Sequence, residues 1–214
     1  MRQNHLNTHN MSLKTFVKIG NITNLSDARY CAGMGVDILG FPLDPTSDES
    51  ISHETFKEIT EWISGIDLAG EFGYASLEEI KYCVISCDLQ VIQIRNLDLV
   101  EAVAALGKTV IFKLVIESEE DVTKIKSKLS YLDELVQVVL LTCENTGYFE
   151  ELDNFIRFYN GNVRLLKGYG IDETDFDDMA KFPGIELQGS PEERPGFKDY
   201  GRVMDILEEL QEED

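Results

Sequence analysis

The side chains able to do chemistry in this chain cluster at the ends of short apolar runs. Lys18, Glu71, Gln93, Arg95 and Lys167 each lie within or close such a run, and Gly168-Tyr169-Gly170 and Gly189-Ser190 follow two of them. Glycine-rich turns let backbone N–H groups approach an anion, and a helix N-terminus behind them adds partial positive charge. Gly168, Tyr169, Gly170, Gly189 and Ser190 are therefore the candidate phosphate-binding set, with Lys167 close enough in sequence to neutralise an anion. Lys18 and residue 20 alternate onto the same side of their run, so a lysine there lies deep and requires a carboxylate partner. Glu71 and Arg95 could supply a proton-transferring pair. The same glycines also serve ordinary turns, and the same ions also form surface or core pairs.

Cysteine chemistry is limited. Cys31, Cys83, Cys87 and Cys143 make no CxxC and no zinc-like spacing, so no metal site and no cofactor are expected. Cys83 and Cys87 fall on one face of a helical segment, and buried thiols in a reducing compartment are the expectation.

Composition narrows the partners. The 214 residues carry 40 acidic and 19 basic side chains, for a net charge of −21. Such a field repels nucleic acid and anionic membrane. An anionic ligand then needs local cations or helix N-termini. Residues 1 to 14 are polar and lack the apolar stretch of a signal peptide, and residues 1–15 are expected to form a flexible extension. No run approaches the roughly 18 apolar residues of a membrane span. A cytoplasmic protein, monomeric or homodimeric, with a small-molecule ligand is expected.

Eight units position these residues. Strand candidates are Phe16–Ile22, Asp37–Leu43, Leu68–Tyr74, Gln90–Arg95, Thr109–Val115, Gln137–Thr142, Val163–Lys167 and Ile185–Gln188. Their richness in Val, Ile, Leu and Phe fits parallel strands covered on both faces. Helix candidates between and after them are Leu25–Met34, Glu54–Ile63, Leu77–Ile85, Asp98–Leu106, Glu119–Leu135, Phe149–Tyr159, Asp175–Phe182 and Lys198–Leu210. Gly35, Gly65, Gly107, Gly161 and Gly184 stand where helices stop. Eight evenly spaced units without a linker predict one α/β domain over residues 16–214, a (β/α)₈ TIM barrel. Sites in such barrels lie at the C-terminal strand ends, which directs attention to Gly20, Pro42, Tyr74, Arg95, Val115, Thr142, Lys167-Gly168 and Gln188-Gly189.

Nearly the whole chain after residue 15 resembles the phosphoribosylanthranilate isomerase family of tryptophan biosynthesis. Lys18, Ile19, Ile22, Thr23, Leu25, Asp27 and Ala28 match its opening Lys-Ile-Cys-Gly-Ile-Thr and the Leu-x-Asp-Ala that follows. Gly35 to Phe41 resembles Gly-Ala-Asp-x-x-Gly-Phe. Gln93-Ile94-Arg95-Asn96 resembles Gln-Leu-His-Gly, and Leu166 to Gly170 resembles the Gly-Gly-Leu segment. Glu186 to Ser190, then Pro195 to Asp199, resembles Asp-Val-Ser-Ser-Gly followed by Pro-Gly-x-Lys-Asp. The order and spacing of these matches carry the resemblance.

The resemblance implies an Amadori rearrangement with a cysteine base ending strand 1 and an aspartate acid ending strand 6. Here those positions hold Gly20 and Thr142, and Asn21 replaces the following glycine. Neither residue can serve as the required base or acid near pH 7. The family's arginine for the anthranilate carboxylate falls at Glu49, and its glycine-rich loop after strand 6 is shortened to Asn145–Phe149. The phosphate end is eroded less. The pocket candidates that follow are Lys18, Asn21, Glu49, Gln93, Arg95 and Lys167. The leading expectation is a barrel that binds a phosphorylated ligand with the isomerase chemistry degraded. The alternatives are an isomerase with substituted catalytic groups, or different chemistry on this scaffold.

Overall fold

The computed structural model describes residues 12–171, 176–189 and 201–212. Eight parallel strands close into a barrel in sequence order: β1 (Val17–Gly20), β2 (Ile38–Pro42), β3 (Asp67–Phe72), β4 (Val91–Ile94), β5 (Thr109–Ile116), β6 (Val138–Cys143), β7 (Arg164–Lys167) and β8 (Ile185–Gln188). The expected (β/α)₈ fold is the observed one. Around it lie α1 (Leu25–Gly33), α2 (His53–Thr60), α3 (Leu77–Ser86), α4 (Val100–Ala104), α5 (Glu119–Leu132), α6 (Phe149–Phe158), α7 (Phe176–Met179) and α8 (Gly201–Glu209).

Local sequence explains the helix starts. Asn24, Ser52, Ser76 and Ser118 each accept a backbone N–H of the first turn, and Ser76 with Glu79 completes a reciprocal capping box. The segment expected to be helical from residue 98 to 106 is divided: Leu97–Leu99 forms a 3₁₀ turn capped by Asn96, and only Val100–Ala104 is α-helical. The segment expected over 175–182 keeps only one α-turn, and the first residues of the last expected helix lie outside the described ones.

Strand alternation divides the core. Ile38, Ala69, Val91, Ile111, Val138, Leu140 and Leu166 pack inside the barrel with Phe16 against them. The opposite strand faces join the helices in a larger outer core. Continuing each inward series toward the C-terminal mouth reaches Lys18 and Gly20, Gly40, Glu71, Gln93, Lys113, Thr142, Gly168, and Glu186 with Gln188. The apolar floor therefore gives way to a polar upper layer.

Of the segment read as a flexible extension, residues 1–11 lie outside the described ones. Residues 12–15 are bound to the far end of the chain. Lys14 N–H donates to Leu210 O (2.8 Å), Glu212 N–H donates to Ser12 O (3.0 Å), and Leu13 pairs antiparallel with Gln211.

Candidate active site at the barrel mouth

The upper layer is organised by one buried cation. The Lys18 side chain is fully buried, and its ammonium donates to the carboxylates of Glu71 on β3 and Glu186 on β8, the latter at 2.5 Å. Burial alone would lower the Lys18 pKa, but the attraction of Glu186 and Glu71 outweighs it and holds the value above the ordinary one. The lysine stays charged, so one positive group faces two carboxylates. The remaining oxygens are held as well. Glu71 Oε2 accepts the Asn21 N–H at 3.0 Å, and Glu186 Oε2 accepts Gln188 Nε2 at 2.9 Å. The expectation that Lys18 lies deep and needs a carboxylate is met twice over.

Two glycines make the room. A Cβ at position 40 would lie 2.3 Å from Glu71 Oε1 and 2.9 Å from Lys18 Nζ. A Cβ at position 20 would lie 2.9 Å from Glu71 Oε1, Glu186 Oε1 and Gln188 Nε2. Carboxylates therefore fill the space a side chain at position 20 would occupy. Asn21 takes a left-handed backbone (φ 55°) as the chain leaves β1, a conformation Asn tolerates better than most residues.

The facing wall carries unpaired groups. Gln93, the register partner of Glu71, is 5% exposed, and its Oε1 has no hydrogen-bond partner. The Thr142 hydroxyl is likewise buried without one. Lys113 on β5 is half-buried and in no ion pair among the described residues. A cavity of about 730 Å³ opens beside Lys113 and Thr142, lined also by Arg95, Glu186 and Gln188. A second, of about 330 Å³, is lined by Gly168, Tyr169, Gly170, Glu186, Gly189 and Arg202. The two share Gly168, Glu186 and Gln188.

The candidate phosphate residues are brought together at the second cavity, apart from Ser190, which lies outside the described residues. Their roles differ from the sequence reading. The Gly168 and Gly189 amides are engaged in the barrel, donating to Leu141 O (2.9 Å) and Gly20 O (2.7 Å). The missing side chains also serve the protein's own packing. A Cβ would strike Leu140 at position 168 (2.8 Å), the Phe149 ring at 170 (2.5 Å) and Asn21 O at 189 (2.9 Å). The Tyr169 and Gly170 amides find no acceptor among the described residues.

Lys167 corrects the sequence reading. Because Leu166 faces inward, Lys167 points outward, where its ammonium binds both oxygens of Asp153 on α6 (2.6 and 2.8 Å). The Tyr169 hydroxyl donates to the same carboxylate at 2.8 Å; burial, and then this hydrogen bond, raise the Tyr169 pKa. This cluster fastens β7 to α6 and leaves no cation at the mouth from position 167. Arg95 is exposed and lies over the Tyr74 ring at 5.2 Å, on the rim of the larger cavity. Glu49 sits in an exposed turn after β2, its N–H bonded to Ser47 Oγ.

Sequence reasoning missed Lys113, Glu186 and Arg202 as mouth residues, although period-two alternation along β5 and β8 marks the first two. It also missed Asp44. That buried carboxylate accepts the N–H groups of Gly73, Tyr74 and Ala75 at 2.7, 2.6 and 3.2 Å, as well as Thr46 N–H and Oγ1. Burial pushes its pKa up, but these hydrogen bonds outweigh burial and hold it below the ordinary value. Asp44 thereby fixes the loop after β3 at the rim.

No protein-family model matches the chain. It is 26% identical over 201 residues to the N-(5'-phosphoribosyl)anthranilate isomerase of Thermoplasma volcanium, covering 92% of this chain and 96% of that one. The enzyme of the same name from Thermotoga neapolitana is 26% identical over 202 residues, covering 89% and 96%. Among solved structures, phosphoribosylanthranilate isomerase from Thermotoga maritima superposes with a TM-score of 0.73 at 21% identity, covering 92% and 98%. A phosphoribosylanthranilate isomerase in complex with reduced 1-(o-carboxyphenylamino)-1-deoxyribulose 5-phosphate superposes with a TM-score of 0.70 at 23% identity.

Proposed function

We infer that the chain belongs to the phosphoribosylanthranilate isomerase family, and that its barrel mouth binds a small phosphorylated ligand without the family's cysteine-and-aspartate chemistry. The observation that carries this reading is a pair of neighbouring cavities that share Gly168, Glu186 and Gln188. One is lined by Tyr169, Gly170 and Arg202, whose guanidinium donates to Ile171 O, and the other opens over the polar upper layer. A related barrel holds a phosphorylated sugar derivative, which fits the same division into a phosphate end and a reacting end. At the reacting end, Gly20 offers no titratable group and Thr142 offers a hydroxyl too weak to protonate a ring oxygen. Each lost proton transfer removes roughly 10²–10⁴-fold in rate.

The test pairs binding with turnover. Inorganic phosphate is expected to shift amide resonances of Tyr169 and Gly170 in a heteronuclear NMR titration. Arg202→Gln is expected to weaken that binding about tenfold, the loss of one charge-assisted hydrogen bond of roughly 1.5 kcal/mol. Turnover of phosphoribosylanthranilate is expected to be negligible, and the gene is expected not to complement a cell lacking the isomerase. Complementation, or shifts confined to another face of the barrel, would refute the reading.

A further inference from the structure

We propose that Glu71 is a proton-transferring catalytic carboxylate acting on the carbonyl end of an aldose phosphate. The proposal rests on the phosphate-binding reading above and adds to it a reacting group and a substrate class.

Three independent features point to Glu71. The first is the space given to it. Glycine inside a strand weakens the strand unless something needs the room. Here Gly20 and Gly40, on adjacent strands β1 and β2, both yield to the Glu71 carboxylate, at 2.9 and 2.3 Å from the missing Cβ positions. The second is orientation combined with access. Lys18 holds Oε1 and the Asn21 N–H holds Oε2, yet the Glu71 side chain remains 15% exposed while that of Glu186 is 2% exposed. Because Lys18 is shared with Glu186, its single charge offsets only one of the two carboxylates. The third is an unmet need beside it. Gln93 Oε1, on the register partner of Glu71, is buried and unpartnered, and a buried polar atom without a partner is costly unless a ligand or water satisfies it.

Glu71, Glu186 and Gln93 Oε1 are all acceptors, so the ligand end that enters must bring donors. The free hydroxyls of a sugar do so. A carboxyphenylamino group instead brings a second negative charge to a cavity lined by Glu144 and Glu186.

The step balances without a further reactant. The Glu71 carboxylate takes the proton from C2 of the open-chain aldose. The C–H electron pair becomes the C1=C2 bond, while the carbonyl pair moves to O1, which draws a proton from water in the mouth. The Glu71 carboxylic acid then returns its proton to C1 as O2 releases one to water and C2=O forms. Return to C2 regenerates the aldose.

The experiment uses the purified chain with ribose 5-phosphate in D₂O, followed by ¹H NMR. Wild type is expected to incorporate deuterium at C2 and to form the 2-ketose. Glu71→Gln keeps the shape and an acceptor for Asn21 N–H, and is expected to slow exchange by about 10²-fold or more with phosphate binding unchanged. If Glu71→Gln does not fold, Glu71→Asp, which preserves the charge toward Lys18, is expected to fold and to slow exchange at least about tenfold. Exchange at the same rate in the folded variant overturns the proposal, as does its absence in wild type that binds phosphate. A wild type that fails to bind inorganic phosphate overturns the underlying binding reading instead.

Discussion

Gly20 lacks a side chain, and the atoms around it have moved in. Glu71, Glu186 and Gln188 converge on the point where its Cβ would lie. All three are flexible ends, so Gly20→Cys is expected to fold at a cost of about 1–3 kcal/mol from overpacking, read as a fall in chemical-denaturation stability. Gly20→Cys with Thr142→Asp is expected to yield more phosphoribosylanthranilate turnover than either change alone, since the two positions act in one reaction. Full rate is not expected while Glu49 remains in place of an arginine. Equal, negligible turnover in the double and single variants would show that these positions do not face one reacting centre. Asp44 yields a pH signature. Its carboxyl is held below the ordinary value of 3.8 in the folded chain. The stability it contributes is therefore fully present above that ordinary value and is lost as the pH falls through the lower folded one. Asp44→Asn is expected to destabilise by about 1–3 kcal/mol at pH 7, with the gap to wild type closing toward pH 3. A gap independent of pH would show that charge is not what holds the loop.

The strands determine which residues meet. Period-two alternation placed Lys18 and residue 20 on one side from sequence alone, and the barrel agrees. The lysine's partners were not legible in that way. Glu71 and Glu186 lie 53 and 168 residues away along the chain; sequential pairing through β2 sets β3 near β1, and closure of the barrel brings β8 beside it. Lys167 shows the opposite failure. It ends a strand near the right rim, but alternation from Leu166 turns it outward to Asp153, and position at a strand end does not by itself fix the face. The division at residues 97–104 has a local cause: Asn96 caps the Asp98 N–H at 3.0 Å and starts a tight turn before the α-helix begins. The pairing of strands also makes a coupling visible. Gly40→Ala forces a Cβ to within 2.3 Å of Glu71 Oε1 and is expected to destabilise by about 1–3 kcal/mol. In a Glu71→Ala background the same change is expected to cost distinctly less. The double-mutant cycle should return about 1 kcal/mol or more of interaction between the two sites, and an additive cycle would mean that the glycine serves only the backbone.

For the whole molecule, the eightfold alternation of apolar runs and helical segments carried the architecture, because each unit announces itself within about 25 residues and the closure rules for parallel strands leave few alternatives. The mouth was less legible. Glycines 168, 170 and 189 read as anion-binding turns, yet each is required by a contact with distant protein, namely Leu140, Phe149 or Asn21. A glycine's type reports that space is needed, not what fills it. The net charge of −21 is likewise a property of the whole chain, and it leaves open where two or three cations gather at one rim. The contact of residues 12–14 with residues 210–212 has a consequence of its own. Ser12 and Glu212 are joined by a hydrogen bond of 3.0 Å, with Leu13 paired to Gln211, on the side of the barrel away from the mouth. Because β1 also pairs with β8, the closed ring of strands holds together equally across that junction. A circular permutant that links residue 12 to residue 212 through a few glycines, and opens instead at the exposed Gly107 turn between α4 and β5, is expected to unfold cooperatively with inorganic phosphate binding intact. Loss of cooperative unfolding in that permutant would show that the native order of strand addition, and not only their final closure, is needed to reach the barrel.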